Sequence, residues 1–248
     1  MGVPFSGGAR KKDRRKAMIL NVLGCMGIGK TTVIEAIAKE YNGRIIPEQF
    51  ENNPYWKAAY AGEQPEFLKM QIQFMNQYIE TLLMLSHEDH EGKLIILDQC
   101  FYTLPFIMTQ NALGLINDVD KDCYLQRWAL LRRTFMPVLG EIANVILWDT
   151  NKNIYKKLQD RGREAEKGIP FDFIQKMSAC FRSPEYMETF VSSYLIRSEM
   201  GWESGVVTTS VCGLEKGEIP GDIRELLRQG HVLCAQTGGG KDNEKEII

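Results

Sequence analysis

Gly24-Cys25-Met26-Gly27-Ile28-Gly29-Lys30-Thr31 is the stretch that decides the fold. It fits the pattern G-x-x-x-x-G-K-[ST]. An aliphatic run, Met18–Leu23, precedes it, and a helical pattern from Lys30 to about Glu40 follows. These surroundings matter because the pattern acts as a strand-to-helix turn. Its glycines let backbone N–H groups converge on phosphate oxygens, and the helix N-terminus adds a favourable dipole. Gly24, Gly27, Ile28 and Gly29 form the expected cradle, with Thr32 in the first helical turn. Lys30 is expected to reach the β- and γ-phosphates of ATP, and the Thr31 hydroxyl to bind Mg²⁺.

Working outward, short apolar runs alternate with longer helical patterns. The other runs are Arg44–Ile46, Leu94–Leu97, Val145–Trp148 and Val206–Thr209. Each is short, mostly aliphatic or β-branched, and followed by polar or glycine residues. Such runs suit strands buried on both faces. Alternation of strand and helix predicts an α/β P-loop NTPase fold of three αβα layers, with a five-stranded parallel sheet. Ligands then bind at the carboxyl ends of strands, so the polar residues after each run are the candidates for chemistry.

Composition narrows the class. The chain has 248 residues, 44% hydrophobic, and a net charge of −2. That fits one α/β domain and gives no basic field for nucleic acid. No run of 18 apolar residues predicts a membrane span, and no apolar stretch near the N-terminus predicts a secretory signal. Six scattered cysteines without a CxxC pair read as reduced thiols, hence a cytoplasmic protein. Three histidines form no metal-ligand pattern. Residues 1–16 read as a disordered basic tail, 17–230 as one P-loop domain and 231–248 as a flexible tail. Met1-Gly2-Val3-Pro4-Phe5-Ser6 matches the loose myristoylation pattern, but Pro4 next to the acceptor region counts against it.

Two carboxylates stand at strand ends. The second run closes with Pro47-Glu48, and a carboxylate there, opposite the cradle, suits a general base for an acceptor hydroxyl. The third run ends in Asp98, where a carboxylate can position the metal and its waters. After the fourth run and its helix comes Arg161-Gly162-Arg163-Glu164-Ala165-Glu166, followed by Pro170. Two arginines this close on a loop can close over a phosphoryl group and neutralise its developing charge while water is excluded.

Pro47-Glu48, then Asn53-Pro54-Tyr55-Trp56, then a helix carrying Gln71 resembles the deoxyribonucleoside kinase family, its bacterial members especially. The R-x-R-x-x-E lid with its proline also matches. The resemblance implies phosphorylation of a deoxyribonucleoside 5′-hydroxyl by ATP–Mg²⁺, with Glu48 as base and Arg161 and Arg163 as lid cations. It implies that Gln71 reads the nucleobase and that Glu166 holds a sugar hydroxyl or orders the lid. Trp56, Tyr60, Phe74, Phe101 and Tyr102 are candidates to sandwich the base. By analogy the chain pairs into a homodimer.

The helix from Phe67 to about Leu85 supports Gln71 independently. Its apolar stripe runs Phe67, Phe74, Tyr78, Leu82, and Gln71 sits within it, whereas Gln73 lies off it and is expected to be solvated. A buried amide needs partners, and a base edge offering one donor and one acceptor supplies them.

The chain also departs from the family. The acid of the third strand is normally followed by Arg-Ser, but here Gln99-Cys100 follows Asp98. A second family arginine corresponds to Tyr78, and an acid near the base to Leu104. Residues 45–126 contain no arginine. A monophosphate acceptor calls for a guanidinium clamp, so a neutral hydroxyl acceptor is favoured over a nucleotide. The rival readings are a nucleoside monophosphate kinase and a non-catalytic nucleotide-binding regulator on the same scaffold.

Overall fold

The computed structural model describes residues 18–60, 63–90, 92–99, 104–139, 142–183 and 206–236. Five strands form one sheet: β1 Met18–Gly24, β2 Arg44–Ile46, β3 Leu94–Asp98, β4 Ile142–Trp148 and β5 Val206–Ser210. Their order is β2-β3-β1-β4-β5, and every neighbouring pair is parallel. Eight α-helices are described: α1 Lys30–Tyr41, α2 Trp56–Tyr60, α3 Gln64–His87, α4 Leu104–Ala112, α5 Asp118–Leu139, α6 Asn151–Arg161, α7 Phe171–Arg182 and α8 Gly221–Gln236.

Strand alternation divides the core into two layers. On β3, Leu94 and Ile96 point into one cluster with Ile34 and Ile37 of α1, Met177 of α7 and Ile223 of α8. Ile95 and Leu97 point into the other, with Met70 and Phe74 of α3 and Tyr124 of α5. Helices thus cover both faces, as parallel sheets require. β1 lies centrally with residues 19–24 buried, which fixes the cradle at the middle of the carboxyl edge.

The structure departs from expectation at three places. β2 is the sheet edge: Arg44 and Ile45 are exposed and only Ile46 is buried, so this strand is not enclosed on both faces. β4 begins three residues earlier than its apolar run, because the run is interrupted by Asn144. That asparagine is buried beside its register partner Asn21, whose Nδ2 donates to Asn144 Oδ1 at 3.1 Å. A hydrogen-bonded polar pair across two neighbouring strands hides the start of β4 from a hydropathy reading. Finally, α8 continues through residue 230 to Gln236, across the expected start of the C-terminal tail. The N-terminal tail lies outside the described residues. Among those that are described, no helix is long and apolar enough to cross a membrane.

Candidate active site

β1 ends at Gly24, and the chain turns into α1 through the cradle. Gly27 (φ 77°) and Gly29 (φ 103°) adopt left-handed backbone that other residues rarely take. At Gly27 a Cβ would also lie 2.9 Å from the Ile154 carbonyl oxygen. Gly29 caps α1 with no side chain to accept from the first-turn N–H groups. Those donors are left for an anion. Lys30 Nζ donates to the carbonyl oxygens of Gly24 (3.1 Å) and Cys25 (3.3 Å), holding its charge at the cradle. Cys25 itself is buried, and burial pushes its thiol up to about 12, so it is neutral.

A cavity of about 630 Å³ opens along the carboxyl edge of the sheet. Gly27, Ile28, Gly29, Lys30, Thr31 and Thr32 form one wall. Thr31 Oγ1 donates to Asp98 Oδ2 at 3.1 Å, which joins the two residues expected to hold a metal. The other Asp98 oxygen is buried with no partner among the described residues. Burial raises the Asp98 carboxyl, while Lys30 and the Thr31 bond lower it.

Glu48 lines the same cavity, two residues past β2. Burial is the largest influence on its carboxyl and raises it to about 7, helped by the Asp98 charge. Lys30, the Tyr78 hydroxyl and Arg163 pull the other way. Tyr78 is the residue that sequence reading placed within the apolar stripe. It is buried and stacked on Phe74 (6.4 Å, 16°), and its hydroxyl donates to Glu48 Oε1 at 3.5 Å.

Gln71 lines the same cavity. It is 1% exposed, and neither amide atom has a partner among the described residues. Gln73 is half-buried rather than solvated. Trp56, Tyr60 and Phe74 line the cavity too. α2 is set over α3 by Asn53, whose Nδ2 donates to the Met70 carbonyl at 2.9 Å and whose Oδ1 accepts from Tyr55 N. Trp56 then packs edge-on against Phe50 (5.6 Å) and Tyr60 (6.2 Å). Phe101 and Tyr102 lie outside the described residues.

The lid is drawn together by Glu166, which is buried. Arg161 Nη2 and Nε donate to its carboxylate at 2.6 and 3.0 Å, and Arg163 Nη1 donates at 3.4 Å. The Arg163 guanidinium also lies 4.1 Å from the Phe50 ring centre. All three lid residues face the cavity. Sequence reading missed Lys157 of α6, which lines the cavity while bound to Asp149 at 2.8 Å, and a loop after β5 from which Val211, Leu214 and Lys216 close the rim. Neither carries a motif, although Lys157 lies one helical turn before Arg161.

A glycine-rich strand-to-helix turn and a carboxylate raised to about 7 line one cavity, an arrangement suited to phosphoryl transfer, and the class it defines is a P-loop phosphotransferase. A family model for deoxynucleoside kinases matches residues 20–196. The chain belongs to the deoxynucleoside kinase family and is a nucleoside kinase by that membership. It is 21% identical over 243 residues to deoxyadenosine kinase of Dictyostelium discoideum, covering 98% of this chain and 93% of the relative. Over 154 residues it is 24% identical to a Bacillus subtilis deoxyadenosine/deoxycytidine kinase, covering 61% and 69%. A deoxyadenosine kinase from M. mycoides, solved with bound dATP, shares the fold with a TM-score of 0.63 at 17% identity, covering 87% of this chain and all of that one.

Proposed function

We propose that this chain transfers the γ-phosphoryl group of ATP to the 5′-hydroxyl of a deoxyribonucleoside. The observation that carries the reading is the placement of Glu48 in one cavity with Lys30 and the unpartnered Gln71 amide. Gln71 orients the base deep in the cavity, which brings the sugar hydroxyl to Glu48. Glu48 removes the hydroxyl proton. Lys30 and the lid arginines hold the charge that develops on the transferring group. Thr31 and the unpartnered Asp98 oxygen offer hard oxygen ligands and fit Mg²⁺. The ion, when bound, supplies charge neutralisation at the phosphates. The names of the relatives make deoxyadenosine and deoxycytidine the first acceptors to assay.

Glu48→Gln is expected to reduce kcat on the order of 10²-fold. A carboxyl raised to about 7 is protonated below that pH and basic above it. The kcat/KM of the unmodified enzyme should therefore rise with pH through about 7 and level off, and the Glu48→Gln variant should lose that limb. A variant of unchanged rate, with the limb intact, would place the base elsewhere.

A monophosphate acceptor is disfavoured by the absence of arginine from residues 45–126, which supply most of the acceptor wall. Deoxycytidine and its monophosphate, offered separately, distinguish the two. The monophosphate is expected to be the poorer acceptor, and the reverse order would favour a nucleotide kinase.

A further inference from the structure

The two lid arginines are held in different ways. Arg161 gives Nε and Nη2 to Glu166 at 3.0 and 2.6 Å, a bidentate pair that fixes its guanidinium. Arg163 has one long bond to the same carboxylate, 3.4 Å from Nη1. Its closer support is an aromatic face, because the guanidinium lies 4.1 Å from the centre of the Phe50 ring. That separation is well inside the range in which a ring attracts a cation.

The aim of Arg163 matters because it borders two spaces. It lines the main cavity with Lys30, Glu48 and Asp98. Burial raises the carboxyls of Glu48 and Asp98, and the Arg163 charge lowers both. Arg163 also lines a second cavity of about 510 Å³, to which Glu51 and Glu164 bring carboxylates that attract a guanidinium away from the transferring group. An arginine side chain loses much rotamer freedom when it is held in one place, and one long hydrogen bond offsets little of that. The Phe50 ring borders both spaces and is itself fixed. Gln77 Nε2 of α3 donates to the Gln49 carbonyl at 3.1 Å, and the Asn53 N–H donates to the Phe50 carbonyl at 3.1 Å. Trp56 packs edge-on against the ring. A short turn anchored on α3 thus carries the ring that meets the lid.

We infer that Phe50 is a positioning residue for Arg163: its ring holds the guanidinium at the mouth of the main cavity, where the phosphoryl group is transferred. This deepens the proposed function and rests on it. Phe50 acts through the arginine and takes no part in the chemistry itself. The contact also joins the acceptor wall to the lid, since the same ring packs on Trp56 and on Arg163. A small displacement of a charge-stabilising group is expensive in rate, so loss of the ring should appear in turnover.

The test is a double-mutant cycle read in kcat at saturating ATP and deoxyribonucleoside. Phe50→Leu keeps an apolar side chain and removes the aromatic face. It should lower kcat by about 3-fold to 30-fold, the range a cation over a ring supplies. Phe50→Tyr restores a ring and should recover most of the rate. In an Arg163→Ala background Phe50→Leu should cost almost nothing further, whereas in an Arg161→Ala background it should still lower kcat. A general disturbance of the acceptor wall would act equally in both backgrounds. Melting temperature shows that each variant is folded, and Phe50→Met repeats the cycle if the leucine variant is not. An unchanged kcat in Phe50→Leu, no recovery in Phe50→Tyr, or an equal loss in both arginine backgrounds overturns the inference and leaves the kinase reading intact. Failure of the unmodified chain to phosphorylate any deoxyribonucleoside, with ATP bound, overturns the kinase reading instead.

Discussion

Lys30→Ala is expected to remove phosphoryl transfer, with kcat falling at least on the order of 10³-fold. The lysine approaches the cradle from α1 and rests on the carbonyl oxygens of Gly24 and Cys25. On the proposed mechanism its charge meets the β- and γ-phosphates, and it is not one of the buried residues of α1. The melting temperature without ligand should therefore stay close to that of the unmodified chain, because the aliphatic packing under α1 comes from Val33, Ile34 and Ile37. Loss of activity without loss of fold is the signature. Unchanged activity would mean that the glycine-rich turn does not serve the reaction.

Replacing Arg161 and Arg163 together with alanine should be nearly as severe, on the order of 10³-fold in kcat, the scale of a positioned arginine in phosphoryl transfer. The acceptor wall carries no arginine between residues 45 and 126 that could substitute. The double variant also leaves Glu166 buried without its two partners, which loosens the lid. Adding Glu166→Gln to the double variant separates the two effects. Lid order should recover in part, seen as slower proteolysis near residue 163, while the rate stays low. A loss under about 10-fold in the double variant would assign the charge stabilisation to Lys30 and the metal site alone.

The sequence made the cradle, the sheet and the lid legible because each depends on local pattern. A glycine turn between strand and helix has few alternatives, and β1, β3 and β5 were readable within a residue or so of their observed ends. Gln71 was readable because a polar residue within an apolar stripe demands a partner, and its buried amide has none among the described residues. What escaped was relational. Tyr78 looked like core because a phenol is mostly apolar, and its hydroxyl contact with Glu48 joins α3 to the segment after β2. Asn144 masked the start of β4 because its partner Asn21 lies on another strand. The rim loop after β5 is recognisable only once the order β1-β4-β5 brings it beside α6.

The most direct test of the central claim follows the label from γ-³²P-ATP with Mg²⁺ and a single deoxyribonucleoside. The account predicts label on the 5′-monophosphate of that nucleoside, ADP formed in equal amount, and no release of ADP when the nucleoside is omitted. Label appearing as inorganic phosphate, or on an added nucleoside monophosphate while every nucleoside stays unlabelled, would contradict it.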